Sequence, residues 1–297
     1  MQRVLITGMA GFTGRYLASE LAAHGWQVHG LPPQVDVCDA DALSVAIQDI
    51  QPQAVVHLAA IASVAHGDVE ALYRVNLLGT RHLLQALAAL AQPPHHVLLA
   101  SSANVYGNSR GGTLDENTPP QPANDYAVSK LAMEHMAWLW RERLPLTVVR
   151  PFNYTGRGQS EHFLLAKIAG HVRRRAPSLE LGNLDVARDF SDVRAVVQAY
   201  RRLLACEGAI GQTVNVCSGQ AHTLREVLHM AQTLGGHAPQ VRINPALVRA
   251  NEVRSLCGNA ARLRGLIGND WRVPPLQETL QWMLAHSNDE HPATHDA

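Results

Sequence analysis

Lysine is almost absent from this chain of 297 residues. Of its 25 basic residues only Lys130 and Lys167 are lysines, against 23 arginines. Arginine replaces lysine on most solvated surfaces, so a retained lysine points to a place where a compact ammonium serves and a planar guanidinium does not. Chance retention is the alternative, and position decides between them. Net charge is also missing: 25 acidic residues balance the 25 basic ones, which argues against a chain-wide electrostatic grip on nucleic acid or an anionic membrane. The four cysteines (Cys38, Cys206, Cys217, Cys257) form no CxxC pair, so reduced thiols of a cytoplasmic protein are expected rather than a disulfide framework. The longest stretch free of Asp, Glu, Lys and Arg, His82 to Ser109, is broken by Pro93-Pro94 and His95-His96. It therefore falls short of the roughly 20 apolar residues of a membrane span. The opening MQRVLITG runs straight into a strand pattern, so no signal peptide is expected. The sixteen histidines include no HExxH, and His286, His291 and His295 sit in a polar tail; no metal site is expected.

What is present reads as a globular α/β protein, 46% hydrophobic and 17% charged. Short apolar runs at Arg3–Thr7, Gln27–His29, Ala54–Ala59, Val97–Ser101 and Leu146–Arg150 alternate with helical patterns. The helices are expected at Gly14–His24, Asp39–Ile50 (capped by Asp39), Leu72–Ala91 and Tyr126–Arg143 (capped by Asn124 or Asp125). Such alternation predicts a doubly wound parallel sheet with helices on both faces. Beyond Pro151 segments shorten. A strand at Gln212–Cys217 is expected to return to the main sheet, and helices at Thr223–Leu234 and Leu276–Leu284 to build a small lobe. Arg173-Arg174-Arg175 reads as a solvated helix end favoured by the dipole, with a phosphate site as the alternative.

The N-terminal motif Thr7-Gly8-Met9-Ala10-Gly11-Phe12-Thr13-Gly14 lies between a strand and a helix. Gly8 suits a tight turn, Gly11 a close approach of backbone to a pyrophosphate, and Gly14 close helix–strand packing. The helix N-terminus then offers unpaired N–H groups to phosphate. A ribose-binding acid is expected at the end of the second strand. That region reads Val28-His29-Gly30-Leu31-Pro32-Pro33, without an acid, which leans slightly toward NADP or dual use. Asp36 either meets the adenine edge or is a loop residue before the next helix.

Ser101-Ser102 ends a strand, where ligands of open α/β sheets gather. Tyr126 and Lys130 are four apart, on one helix face. A nearby cation favours the phenolate and lowers the tyrosine pKa. Such a tyrosine exchanges a proton with an oxygen on a carbon undergoing hydride transfer. Ser102 can hydrogen-bond the same oxygen. A lone YxxxK is weak evidence, but after a serine-bearing strand end and a glycine-rich first turn it is strong.

These residues resemble the extended short-chain dehydrogenase/reductase superfamily, through TGMAGFTG (7–14), HLAA (57–60), VNLLGT (75–80), SSANVYG (101–107), YAVSK (126–130), RPFNYTG (150–156), RDFSDV (188–193) and NVCSG (215–219). The resemblance implies a Rossmann NAD(P)-binding domain at 1–151 with a return segment at about 189–218. It implies a nucleotide-sugar-binding lobe at 152–188 and 219–286, a flexible tail at 287–297, and a homodimer through helices near 72–91 and 126–143. For NADP(H) or NAD(H) it implies contacts from Gly8, Gly11, Phe12, Thr13, Gly14, Asp36, Val37, Leu58, Ala59, Ala60, Asn76, Tyr126, Lys130 and Pro151. Asn76 is expected to act as a structural hydrogen-bonder beside the active site.

Within the superfamily, 4,6-dehydratases carry an acid two residues before the Tyr of SSANVYG, where Asn104 stands here. PFNYTGRGQSEHFLLAKI, RDFSDVRAVVQAY and NVCSGQ look like reductases of GDP-linked 4-keto-6-deoxyhexoses, except that Arg157 stands where those commonly have proline. The resemblance implies Ser102, Tyr126 and Lys130 as catalytic residues. It implies substrate contacts from Ser102, Asn104, Asn153, Phe163, Lys167, Arg188, Arg249 and Glu252. Phe163 has core packing as its alternative, and Arg188 an ion pair with Asp189 or Asp192. The expected activity is NAD(P)H-dependent reduction at C4, giving GDP-D-rhamnose or its C4 epimer GDP-6-deoxy-D-talose. A 4-epimerase with retained NAD is the runner-up. A non-catalytic NADP-binding sensor is disfavoured, because such proteins usually lose the Tyr or the Lys.

Overall fold

The computed structural model describes residues 2–62, 67–107, 112–248 and 254–285. Arg249, Glu252, the three tail histidines and the tail at 287–297 lie outside the described residues. Six strands form a parallel sheet in the order Thr213–Val216, Leu146–Pro151, His96–Ala100, Ala54–His57, Arg3–Thr7, Gln27–Gly30. The apolar runs are continuous because both faces are covered. Val4, Ile6, Val56, Leu98 and Val149 join a core with Leu17 and Leu21 of helix Phe12–Ala23 and Val196 and Leu203 of helix Val193–Leu204. Leu5, Val55, Leu99 and Val148 face the other way. They pack on Leu43 and Ile47 of helix Ala40–Ile50, Leu83 and Leu87 of helix Thr80–Ala88, and Met133 of helix Asp125–Trp138. Successive strand residues point to opposite faces, so each strand feeds both cores.

Caps set the helix starts. Asp39 accepts from the Ala42 N–H, and of the two candidates it is Asn124 that caps, accepting from Ala127. Thr223 and Glu226 form a reciprocal capping box at the start of Leu224–Gly235. The return strand pairs with Leu146–Pro151 at the sheet edge. Strand order reverses at Arg3–Thr7, flanked by the second and third strands, which opens a crevice at the carboxyl ends of Arg3–Thr7 and Ala54–His57.

One expectation changes. The single long helix at 72–91 is instead Val69–Tyr73, a π-helical turn Arg74–Gly79, and Thr80–Ala88. The Thr80 hydroxyl donates to the Asn76 carbonyl, and the Asn76 side chain is drawn into the crevice wall. A local side-chain partner of this kind widens the helical ladder.

Beyond the main sheet, Ala187–Asp192 is the hub of a second sheet. It pairs antiparallel with Ala221–Thr223 and parallel with Ser255–Gly258 and Asn153–Thr155. Strands Ser178–Leu181 and Gln240–Ile243 pair separately. Helices Leu164–Arg173, Leu224–Gly235 and Leu276–Leu284 bury Ile168, Val227 and Leu280 in a third core.

Candidate active site

The glycine turn is shaped for a dinucleotide. Gly8 holds φ +70°, and a Cβ there would lie 2.9 Å from the Ala59 nitrogen. A Cβ at Gly14 would overlap the Gly8 carbonyl, so the helix approaches the strand as closely as only glycine permits. Gly11 is the cap of helix Phe12–Ala23 with no side chain on its N–H groups, and a Cβ there would meet only the Gly8 oxygen, at 3.3 Å. These open N–H groups fit a pyrophosphate. Facing them, Leu58-Ala59-Ala60 is locked in place. His57 bonds Thr7 Oγ1 at 2.7 Å and Thr80 Oγ1 at 2.9 Å, and the Ala59 N–H donates to Thr7. Burial pushes His57 down to about 3, so it serves as a neutral strut.

Phe12 and Thr13 are engaged from the far side of the crevice. Thr13 Oγ1 lies 2.8 Å from the Tyr154 hydroxyl, and Phe12 stacks on the Tyr154 ring. Asp36 is exposed and accepts from the Cys38 N–H, the geometry of a loop turn, while Val37 is buried against Gly79. Asn76 is fully buried. It accepts from the Ile61 N–H and donates to the Ile61 carbonyl and to Ser129 Oγ, tying the crevice wall to the helix that carries Tyr126. Pro151 ends its strand opposite Val216.

Ser102 follows strand His96–Ala100 and caps the short 3-10 turn Ala103–Tyr106. Its Oγ accepts from the backbone N–H and the side-chain amide of Asn104, both at 3.1 Å, and it lies near enough to the Tyr126 hydroxyl to favour the phenolate. Tyr126 and Lys130 lie in the first turns of helix Asp125–Trp138 and are buried. Lys130 Nζ donates to the Ala100 carbonyl at 2.9 Å. The structure thus joins Ser102, Asn104, Tyr126 and Lys130 at one strand end.

The electrostatics differ from the expectation that a cation lowers the tyrosine pKa. Burial pushes the Tyr126 phenol up to about 12, outweighing the opposing effect of nearby Ser102. Burial also brings the Lys130 ammonium down to about 8, with the Glu134 carboxylate opposing. The reason is shared: taking either group out of water penalises its charged form. At neutral pH the phenol therefore carries its proton and the ammonium its charge.

Beneath this pair lies a network that motif reading missed. Glu134, one turn beyond Lys130, accepts two bonds from Arg150, at 2.6 and 2.9 Å, and one from Ser101. Arg150 also donates to the Tyr106 hydroxyl, which donates to Asn215. All are buried. The available signal was an acid at i+4 from the lysine among apolar helix positions.

Of the remaining expected substrate residues, Asn153 and Arg188 lie on the second sheet, and Phe163 and Lys167 at and in helix Leu164–Arg173. Asn153 pairs with Phe190 in register. Phe163 caps helix Leu164–Arg173 and is 42% exposed, so it is not core. The Lys167 ammonium is spent on the Glu180 carbonyl at 2.7 Å. Arg188 Nη1 donates to the Ala187 carbonyl, and Asp192 is bidentate with Arg194. Arg157 is fastened to Trp282, its Nε on the carbonyl at 2.8 Å and its guanidinium 5.0 Å above the ring. Among the described residues no cluster of three or more His, Cys, Asp or Glu is placed to hold a metal ion, and no helix is long and apolar enough to cross a membrane.

Residues 4–217 match the NAD dependent epimerase/dehydratase family. The chain belongs to that family. It is similar to GDP-6-deoxy-D-mannose reductase of Pseudomonas aeruginosa, 38% identical, covering 90% of this chain and 91% of the relative. It is also similar to GDP-6-deoxy-D-talose 4-dehydrogenase of Aggregatibacter actinomycetemcomitans, 30% identical over 95% of this chain and 96% of that one. The solved structure of RMD from Pseudomonas aeruginosa complexed with NADPH superposes with a TM-score of 0.86, at 36% identity, covering 96% of this chain and 98% of that chain. As a family member the protein is an NAD(P)-dependent oxidoreductase built on a Rossmann-type sheet.

Proposed function

We propose that the protein reduces the C4 keto group of a GDP-linked 4-keto-6-deoxyhexose, giving GDP-D-rhamnose or its C4 epimer GDP-6-deoxy-D-talose. The observation that carries this reading is Ser102 set beside the buried Tyr126 and bonded to an amide, Asn104, rather than to a carboxylate. Bound NAD(P)H would supply a hydride to C4. The chain's own groups handle the oxygen. Ser102 donates a hydrogen bond to O4 and polarises the carbonyl. Tyr126, held protonated by burial, gives its proton to O4 as negative charge develops there, so it works as an acid. Lys130, charged at neutral pH and one helical turn away, stabilises the phenolate left behind and is placed to hold the nicotinamide ribose. Asn104 has no charge with which to abstract a sugar proton, so dehydration is not supported.

In this reading 1–151, with the return segment at about 189–218, binds the cofactor. The lobe at 152–188 and 219–286 binds the sugar nucleotide through Asn153, Phe163, Lys167, Arg188, Arg249 and Glu252. The enzyme works as a cytoplasmic homodimer through the helices near 72–91 and 126–143. Exposed Val69, Leu78, Val128 and Leu139 support that interface, and light scattering tests it. The deciding experiment is purified protein with GDP-4-keto-6-deoxy-D-mannose and NADPH. Stoichiometric NADPH oxidation is expected, and NMR of the product assigns the C4 configuration. No consumption refutes the reading, and a co-purifying NAD with sugar interconversion would point to the epimerase instead.

A further inference from the structure

We infer that Asn104 is a positioning residue: its side-chain amide and backbone N–H fill both acceptor sites of Ser102 Oγ, so that the serine can act only as a donor toward Tyr126 and the substrate oxygen. A hydroxyl has one O–H and two acceptor lone pairs. Here Asn104 N and Nδ2 occupy the two lone pairs at 3.1 Å each, and Ser102 is 6% exposed, leaving little water to compete. The remaining O–H is then left to point away from Asn104, on the side where Ser102 lies near enough to Tyr126 to favour its phenolate.

The polarity matters for the chemistry. A serine that could accept would take the Tyr126 proton into a bond leading away from O4. A serine whose acceptor sites are full keeps its one O–H for the Tyr126 side in the free protein and for O4 once the keto sugar is bound, so that the Tyr126 proton is also left for O4. With the amide turned over, Asn104 Oδ1 would accept the serine proton, and the serine would have nothing to give the carbonyl. The Asn104 side chain thus acts through Ser102, which is a different role from touching the sugar.

The kinetic arm rests on the ketoreductase reading; the structural arm does not. In the kinetic arm, wild type, Asn104→Asp and Asn104→Ala are assayed with the keto sugar and NADPH from pH 5 to 9. A carboxylate is acceptor-only and draws the Ser102 proton to itself. Asn104→Asp should therefore lose kcat by roughly 10²-fold at pH 8, the scale of one lost donor at a developing oxyanion, with KM nearly unchanged. Its kcat should climb back toward wild type as pH falls and the introduced carboxyl regains a proton to donate. Asn104→Ala, which keeps the backbone donor, should lose about tenfold with no such recovery. A merely structural role would not produce recovery at acid pH, so wild-type kcat at pH 8, or a loss in Asn104→Asp that is the same at every pH, overturns the inference. In the structural arm, neutron diffraction of the free wild-type protein locates the Ser102 deuterium. A deuterium directed toward Tyr126 supports the inference, and one directed at Asn104 overturns it. Should wild type fail to turn over, the functional reading falls and this arm decides Asn104 alone.

Discussion

Replacing Lys130 with methionine should stabilise the free protein at neutral pH while abolishing turnover. Burial lowers the ammonium from its ordinary 10.5 to about 8. At about 1.4 kcal/mol per pH unit, holding it charged costs the folded state about 3 kcal/mol. The variant escapes that cost but leaves the Ala100 carbonyl without its Nζ donor, a loss of about 1 kcal/mol. The net gain at pH 7 is about 2 kcal/mol, or about 5 °C in Tm for a chain of this size. The sign of the pH dependence follows from linkage. Between about pH 8 and 10.5 the unfolded state holds the Lys130 proton and the folded state has released it, so wild-type stability rises through this window. Below pH 8 the cost is fully present; above 10.5 it is gone. The advantage of Lys130→Met should be constant below pH 8, shrink above it, and reverse by pH 10.5. Urea unfolding of both proteins at pH 7, 8, 9 and 10 measures the difference, in which other titrating groups cancel. A methionine variant less stable than wild type at pH 7, or a gap independent of pH, would refute the reasoning.

Other consequences follow from the same site. Tyr126→Phe removes the acid and should lower kcat by roughly 10²- to 10⁴-fold with cofactor affinity retained; unchanged turnover would dismiss Tyr126. Glu134→Gln strips the carboxylate from the buried Arg150 and should cost about 3–5 kcal/mol in urea unfolding. A cost below 1 kcal/mol would show the pair behaving like a surface one. Because Glu134 supports the Lys130 charge, any activity left in Glu134→Gln should fail at lower pH than in wild type, visible as a shifted alkaline limb of kcat. Gly14→Ala drives a methyl into the Gly8 carbonyl and should raise the NADPH Kd at least tenfold by fluorescence titration; unaltered binding would show that the turn does not hold the cofactor.

Much of the site was legible before any coordinates. Short-range rules decide a glycine turn between strand and helix, a tyrosine and lysine at i and i+4, and caps at Asp39 and Asn124. Their parts lie within a few residues of one another. The scarcity of lysine also drew attention to Lys130, which the fold buries with its ammonium on the Ala100 carbonyl, a confined place that suits a compact ammonium better than a planar guanidinium. It said less about Lys167, whose ammonium ties a helix to a strand.

The rest depended on partners far apart in the chain. Glu134 finds Arg150 only because a helix docks on a strand, and Thr13 finds Tyr154 across 141 residues. The π turn at Arg74–Gly79 and the commitment of Asn76 to Ile61 and Ser129 arise the same way. The tyrosine pKa is the sharpest case. The sequence placed a cation four residues from a phenol and so suggested a lowered value, but burial sets the larger effect, and no local pattern records how much water the finished fold excludes. The amino-acid sequence by itself determined which groups stand at the strand end. Tertiary structure alone decided which of them are charged, which way their protons point and what they lean on, because desolvation and hydrogen-bond partners are properties of the packed chain.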